Sequence, residues 1–389
     1  MRQLLLFFIL ILSVLRIEAS SSKDIVEEMI SIADVKINGN RPWDIQIHDD
    51  EFYDRVLKDQ SLGLGESYMN EAWDVEALDV FIYRILMADL ERNFKPTWSQ
   101  VWTYFKAKIF NRQNRSGSMK VINQHYQLGN DLYQNMLDPL MTYSCGYWKN
   151  AKKLKEAQMA KYDLIARKLG FKKGMRVLDI GCGWGGFAKY VSEQYEVDVV
   201  AITLSENQAA YAKEICKDLP VEISVQDYRD LDEKFDRIVE IGMFEHVGMK
   251  NHRIFMEVIY RCLNDNGMVM LHTIGGNQST VIGDPWIDKY IFRGGQLPSV
   301  AQIGTSIEGL FVMEDWHNFS ADYDKTLMAW FYNFDKNWEK IKQNYPPHFY
   351  RMWKYYLLSC AGAFRARHIQ LWQVVLSKEG VYGGYETVR

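Results

Sequence analysis

The stretch Val177-Leu-Asp-Ile-Gly-Cys-Gly-Trp-Gly-Gly186 constrains the fold of this chain more than any other. Val177, Leu178 and Ile180 read as a buried strand that runs straight into a glycine-rich turn opening a helix. Asp179 stands at the carboxyl end of that strand, where ligands of open α/β sheets bind. Gly181, Gly183 and Gly185 let the backbone approach a ligand that any side chain would block. The spacing G-x-G-x-G differs from the dinucleotide pattern G-x-G-x-x-G, and Asp179, just ahead of the first glycine, would repel a pyrophosphate. A carboxylate there suits a cationic cofactor. Alternating glycines also suit an ordinary strand–turn–helix corner, so the rest of the chain has to decide.

From about residue 155 onward the rhythm is regular. A helix-like segment, 154–169, precedes strands expected over 176–180, 197–203, 221–226, 235–242 and 268–273, with helices at 207–216 and 254–263 between them. Alternating strands and helices predict an α/β fold, a parallel doubly wound sheet. Segments 311–319 and 371–377 are expected to add two final, antiparallel edge strands. Helical stretches 326–341 and 349–367, rich in Tyr, Trp and Met, would roof the ligand edge or simply form packed core.

A chain of 389 residues is long for one core, so two domains are expected. Residues 22–105 lack the alternating rhythm and read as a small, mostly helical domain. Its helical patterns, 24–32 and 75–90, flank a glycine-broken turn over 62–68. Residues 106–140 read as a linker and membrane-contact segment, and 141–389 as the catalytic domain. Lys106, Lys108, Arg112, Arg115 and Lys120 punctuate a stretch without acidic residues, close to Trp98, Trp102, Tyr104, Phe105 and Phe110. Cations interleaved with aromatics suit an anionic membrane face, although a solvated linker has the same look. A net charge of −4 gives no overall footprint for nucleic acid. The 5 cysteines form no C-x-x-C pair, fit reduced cytosolic thiols and indicate no metal site. Against this, residues 1–21 carry an apolar run resembling a signal peptide, too short to cross a bilayer, which takes about 20 residues.

Chemistry should sit at the strand ends. Thr203 ends the second strand where an acidic ribose ligand is usual, and Gln208 either completes a capping box with Ser205 or holds hydroxyls. Gln226, Asp227 and Tyr228 end the third strand and could bracket a base. The fourth ends in Gly242 to Gly248, which carries Glu245 and His246, and the fifth carries His272. A lone His in an apolar strand is more often a satisfied core residue, but His272 and Glu245 project from neighbouring strand ends.

The D-x-G-x-G-x-G motif resembles the first motif of class I S-adenosylmethionine methyltransferases. A wider set is similar to the bacterial cyclopropane-fatty-acyl-phospholipid synthases. It comprises Tyr143-Ser-Cys-Gly-Tyr-Trp148, Val177 to Gly186, Gly242 to Gly248, Leu271 to Gly275, Ala321-Asp-Tyr-Asp-Lys-Thr-Leu-Met-Ala-Trp330 and Cys360-Ala-Gly-Ala-Phe-Arg-Ala-Arg367. The likeness runs from about Asn38 to the C-terminus, and only residues 1–20 depart from it.

That resemblance implies transfer of a carbon from S-adenosylmethionine to the cis double bond of an unsaturated phospholipid acyl chain, closing a cyclopropane ring. An alkene is a feeble nucleophile, so the methyl group must be held in line with it. The resulting carbocation needs a dry, aromatic-lined crevice and then a weak base. The resemblance supplies a bicarbonate ion, caged by Glu245, His272, Tyr323 and the backbone amides of Cys145 and Ile274, with Cys360 lining the acyl site. It places Tyr143 and Ser144 at the cofactor carboxylate, alongside Asp179, Gly181, Gly183, Thr203, Gln208, Gln226, Asp227, Tyr228 and Gly242 as cofactor residues. A homodimer, peripheral to the cytoplasmic face of the inner membrane, is also implied. A methyl-branched product, another acceptor, or a lipid-binding protein without catalysis remain alternatives on the same fold.

Overall fold

The computed structural model describes residues 21–93, 129–280 and 283–389. The tail 1–20 and the basic, aromatic stretch 98–120 lie outside the described residues. The chain divides into two compact units, residues 1–127 and 128–389.

The first unit is mostly helical. Helix α1 (Ser22–Ile32) starts at a capping box in which Ser21 and Asp24 satisfy each other's backbone N–H groups, and it buries Ile25, Val26 and Ile30. Helix α2 (Glu51–Met69) is kinked at Gln60, whose φ of 50° lies in the left-handed region. The glycine-broken turn expected over 62–68 is therefore helix. Gly63 is there for proximity: a Cβ would stand 2.1 Å from the Arg55 carbonyl oxygen. Two-residue strands β1 (Gln46–Ile47) and β2 (Trp73–Asp74) pair ahead of α3 (Leu78–Met87) and the short α4 (Leu90–Asn93). Trp73, fully buried, gathers Phe52, Tyr68 and Phe81 around its ring.

The second unit opens with α5 (Asn130–Met136) and α6 (Leu154–Lys168). Then follow β3 (Arg176–Ile180), α7 (Gly186–Tyr195), β4 (Asp198–Thr203), α8 (Glu206–Cys216), β5 (Val221–Val225) and β6 (Phe235–Ile241). Helix α9 (His252–Cys262), the long β7 (Leu263–Gly276), α10 (Pro285–Tyr290), α11 (Val300–Ile307) and β8 (Val312–Asn318) come next. Helices α12 (Ala321–Ile341) and α13 (Phe349–Arg365) precede the last strand, β9 (Ile369–Ser377). The sheet order is β5-β4-β3-β6-β7-β9-β8.

Alternate residues of the central strands face opposite layers. Leu178, Ile180, Val200 and Ile238 pack with Phe255, Ile259 and Ile303 on one side; Val177, Val199 and Val239 pack with Ile165, Phe187 and Ala212 on the other. Burial on both faces explains why these strands read as continuous apolar runs. The chain leaves β3 for β4 and β5, then returns to β6 on the opposite side. The topological switch, and hence the crevice, lies at the carboxyl end of β3.

The expectation of two antiparallel edge strands needs correction. Strand β9 inserts between β7 and β8, pairs antiparallel with both, and is interior. Of these two strands only β8 is an edge, and it runs in the direction of β7. The aromatic stripe of α12 and α13 is packed core, with Trp330, Phe334 and Trp353 at most 1% exposed. Among the described residues, no helix is long and apolar enough to cross a membrane.

Candidate active site

A cavity of about 360 Å³ opens at the carboxyl ends of β3, β4 and β6. Asp179, Gly181, Gly183, Thr203, Gln208, Gln226, Tyr228, Gly242, Tyr143 and Ser144, all expected cofactor residues, line it. Gly181, at φ 80°, could not become another residue cheaply: besides the strained backbone, a Cβ would meet Met243 at 2.9 Å. Asp179 is 2% exposed, and its Oδ2 has no partner. Burial raises its pKa to about 7, against the opposing pull of Lys161. A buried carboxyl group with an unpartnered oxygen at a cavity wall suits a cation.

Two other expectations resolve differently. Ser205 caps α8 by accepting from the Gln208 amide, but the Gln208 side chain does not complete the box. Its Oε1 accepts from Thr203 Oγ1 at 3.0 Å, so both groups stay at the cavity wall. Asp227 does not line the cavity. Its carboxylate accepts from Arg229, at 2.9 Å to Nε and 2.7 Å to Nη2, and that guanidinium holds its pKa low. Asp227, expected among the cofactor residues, is engaged in this local turn contact and stands outside the cavity lining.

The second cluster begins where the cavity ends. Met243 and His246 line the cavity and flank Glu245; Tyr143 and Ser144 line it and precede Cys145. Glu245 is buried. Its Oε1 accepts from the Ile274 backbone N–H at 2.6 Å, while its Oε2 has no partner. Burial raises its pKa. His272 is 1% exposed and opposite Ile241 on β6. The Gln373 amide donates to His272 Nδ1 at 3.3 Å, which in that orientation leaves the proton of the neutral ring on Nε2. His272 Nε2 is buried without a partner, and burial pushes the ring pKa far down, so it stays neutral.

Tyr323 stacks on Phe364 at 4.4 Å and stands edge-on to Trp330. Burial, with the nearby Cys145, Glu245 and Cys360, raises its phenol well above the usual value, so it is a donor. Cys360, its own pKa pushed to about 12 by burial, also acts on Tyr143 and Tyr356, whose hydroxyls meet at 2.8 Å. Cys145 Sγ donates to the Gly146 carbonyl oxygen at 3.2 Å, and burial keeps the thiol protonated. The fold thus gathers Glu245, Ile274, Tyr323, Cys145 and Cys360, with His272 two residues before Ile274 on the same strand.

A family model described as mycolic acid cyclopropane synthetase matches residues 113–374. The cyclopropane-fatty-acyl-phospholipid synthase of Escherichia coli (strain K12) is 51% identical over 365 residues, 94% of this chain and 95% of that one. The chain belongs to the cyclopropane synthetase family. It is an enzyme of the methyltransferase class with a class I fold. Among solved structures, the cyclopropane synthase MmaA2 from Mycobacterium tuberculosis is 32% identical, with a TM-score of 0.62 over 66% of this chain and 97% of that one. The mycolic acid cyclopropane synthase CmaA1, solved in complex with SAH and CTAB, is 33% identical, with a TM-score of 0.61 over the same shares.

Several residues of this site were missed from sequence. Lys161 is fully buried and donates to Ser144 Oγ at 2.6 Å. It falls on the apolar face of α6, four residues after Ala157 and four before Ile165, so a lysine at a core position was the available signal. Glu240 is fully buried within β6 and accepts from the Met243 and Phe244 backbone amides. A carboxylate inside an apolar strand was the signal there. Trp184 closes the glycine loop, its Nε1 donating to Asn130 Oδ1 at 3.0 Å, and carried no signal.

Proposed function

We propose that this enzyme transfers a carbon from S-adenosylmethionine to the cis double bond of an unsaturated phospholipid acyl chain, forming a cyclopropane ring. The observation that carries this reading is a pair of orphaned, buried polar atoms, Glu245 Oε2 and His272 Nε2, beside a cavity with an orphaned carboxylate. The cavity suits the cofactor: Asp179 answers a positive charge, Thr203 and Gln208 offer hydrogen bonds to hydroxyls, and the glycine turn admits close backbone contact. Methyl transfer to an alkene leaves a carbocation that water would trap. The buried rings of Trp330 and Tyr323 and the half-buried ring of Tyr143 limit water there and suit a cation.

A bicarbonate ion fits the second cluster. His272 Nε2–H and the Tyr323 phenol would hold it by donation, and Glu245 Oε2 is free to accept a proton from it. Bound there, the ion would supply the weak base that the carbocation needs. The Ile274 amide joins such a cage only by giving up Glu245 Oε1. The acyl chain comes from a bilayer, and the cationic, aromatic stretch 98–120 is proposed to dock the protein on an anionic surface.

The test is purified protein, S-adenosylmethionine and unsaturated phospholipid vesicles. Expected are a gain of CH2 in the acyl chain and the upfield proton signals of a ring methylene. A mass gain without those signals would make the product a methyl-branched isomer, and no gain would refute transferase activity on this lipid.

A further inference from the structure

Helix α6 does more than pack against the sheet. Tyr162 shares a hydrogen bond with Thr142 Oγ1 at 2.8 Å, Gln158 Nε2 donates to the Ser144 carbonyl oxygen at 2.8 Å, and the Tyr147 amide donates to the Ala157 carbonyl. The segment along one wall of the cavity is thereby fixed to the helix. In the middle of this seam lies Lys161, fully buried, its Nζ 2.6 Å from Ser144 Oγ and 4.5 Å from the Tyr162 ring centroid. A buried ammonium is costly, and a serine hydroxyl is a weak partner for it.

An ammonium has donors only. In the Lys161–Ser144 bond the hydroxyl oxygen accepts, which commits the Ser144 O–H to donate elsewhere. Ser144 lines the cavity, so that donation is available to a ligand. The same cavity carries the orphaned Asp179 carboxyl, close enough to Lys161 for the two to act on each other electrostatically. The cavity lining therefore carries both a donor suited to an anion and a carboxyl group suited to a cation.

We propose that Lys161 is a positioning residue that, through the hydroxyl of Ser144, selects the carboxylate of the cofactor's amino-acid moiety. The inference rests on the cofactor reading above and deepens it. Lys161 need not touch the ligand: it supplies the charge, and Ser144 supplies the geometry. Burial lowers the Lys161 pKa to about 7 and raises that of Asp179 to about 7. Cys145 and Asp138 also bear on Lys161. A zwitterion gives both groups a counter-charge and favours both ionised forms.

The experiment is calorimetry with two probes: S-adenosylhomocysteine, which carries the amino acid, and methylthioadenosine, which lacks it. Lys161→Met and Ser144→Ala should each weaken S-adenosylhomocysteine roughly ten- to a hundredfold, the usual range for a charge-assisted hydrogen bond. Methylthioadenosine should bind all variants within about twofold. The double variant should lose little more than either single one, because a relay is broken only once. Ser144→Ala, a small change, keeps the test alive if Lys161→Met fails to fold. Equal losses for both probes, or additive losses in the double variant, would overturn the relay while leaving the cofactor reading standing. A wild-type protein that binds neither probe would overturn both.

Discussion

The Ile274 backbone N–H donates to Glu245 Oε1 at 2.6 Å, so the end of β7 grips the carboxylate carried by the turn after β6. The turn itself is held by Glu240, whose Oε1 accepts from the Met243 and Phe244 amides. Each of these buried carboxyl groups has one oxygen committed and one, Oε2, without a partner. Burial raises both pKa values, and the proximity of Glu245 raises that of Glu240 further. Two charges in this dry space oppose each other, so the pair resists full ionisation. When ionised, a carboxylate whose pKa is raised in this way accepts a proton more readily at neutral pH than an exposed one.

Glu245→Gln isolates that role. The amide retains an Oε1 that accepts from Ile274, so the fold should be kept, while proton acceptance is lost. Turnover should fall at least about a hundredfold, in the range of general acid–base contributions. Cofactor affinity should change by less than a few fold. The wild-type rate should decline as pH falls through the raised Glu245 pKa, because only the ionised group accepts, and the variant should lack that limb. Rapid-quench turnover alongside calorimetry would check this, and near-normal turnover would remove Glu245 from the chemistry.

Asp179 makes the apo protein pay for its function. Its folded pKa of about 7 lies above the unchanged value of 3.8. Between those pH values the folded protein holds a proton that the unfolded chain has released, so this group's contribution to stability declines as pH rises from about 4 to about 7. At pH 5, early in that window, Asp179→Asn should stabilise the apo protein only modestly, because the folded carboxyl is still protonated while the unfolded one has begun to ionise. At pH 8, above both pKa values, it should stabilise the apo protein by more, roughly 2–4 kcal/mol, as the net shift implies. Cofactor binding should be lost. Melting curves at the two pH values decide the matter, and a pH-independent difference would mean that Asp179 is already ionised in the apo protein.

What the sequence disclosed follows the range of the interaction. The five parallel strands and the glycine turn are written in local periodicity and in φ preferences, and their positions could be read to within a few residues. The order of β8 and β9 depends on which strand pairs with β7, a long-range choice that an apolar alternation does not encode. Gly63 looks like a breaker, but it exists for close approach to Arg55, and the kink falls on Gln60 instead. Asp227 offered a carboxylate at the right strand end, yet Arg229 captures it two residues later. Lys161 was one more lysine in a charged helix until its neighbours at the same face turned out to be core.

Cys145 is expected to be chemically quiet. Its thiol is buried, hydrogen-bonded to the Gly146 carbonyl and to Thr326 Oγ1, and far from ionising at neutral pH. A nucleophilic thiol needs a base or a cation that stabilises the thiolate, and here desolvation outweighs the small help from Lys161 and Lys325. Cys145→Ser should retain activity within about tenfold, the loss reflecting a hydroxyl in a thiol's packing niche. Iodoacetamide should inactivate the native enzyme slowly, with other cysteines reacting first. Abolished activity in a variant with a normal melting curve would reinstate the sulfur as a participant.

Access to the acyl chain is the remaining physical problem, since the double bond lies inside a bilayer and the chain's net charge is −4. Attraction to an anionic surface must then come from a local patch, and Lys106, Lys108, Arg112, Arg115 and Lys120 form a run of cations without an intervening acid, interleaved with aromatic residues. Each cation near such a surface contributes about 1 kcal/mol, and the field decays over roughly 8–10 Å in physiological salt. Reversing Lys106, Lys108 and Arg112 to Glu should therefore weaken binding to anionic vesicles by at least about a hundredfold at low salt, and by less at high salt. Activity on vesicles should fall in step, while activity on detergent-dispersed lipid should persist because the cavity is untouched. Sedimentation with vesicles across a salt series measures the first, and parallel assays on the two lipid forms measure the second. A triple variant that sediments like the wild type at every salt concentration would reduce this stretch to a plain linker.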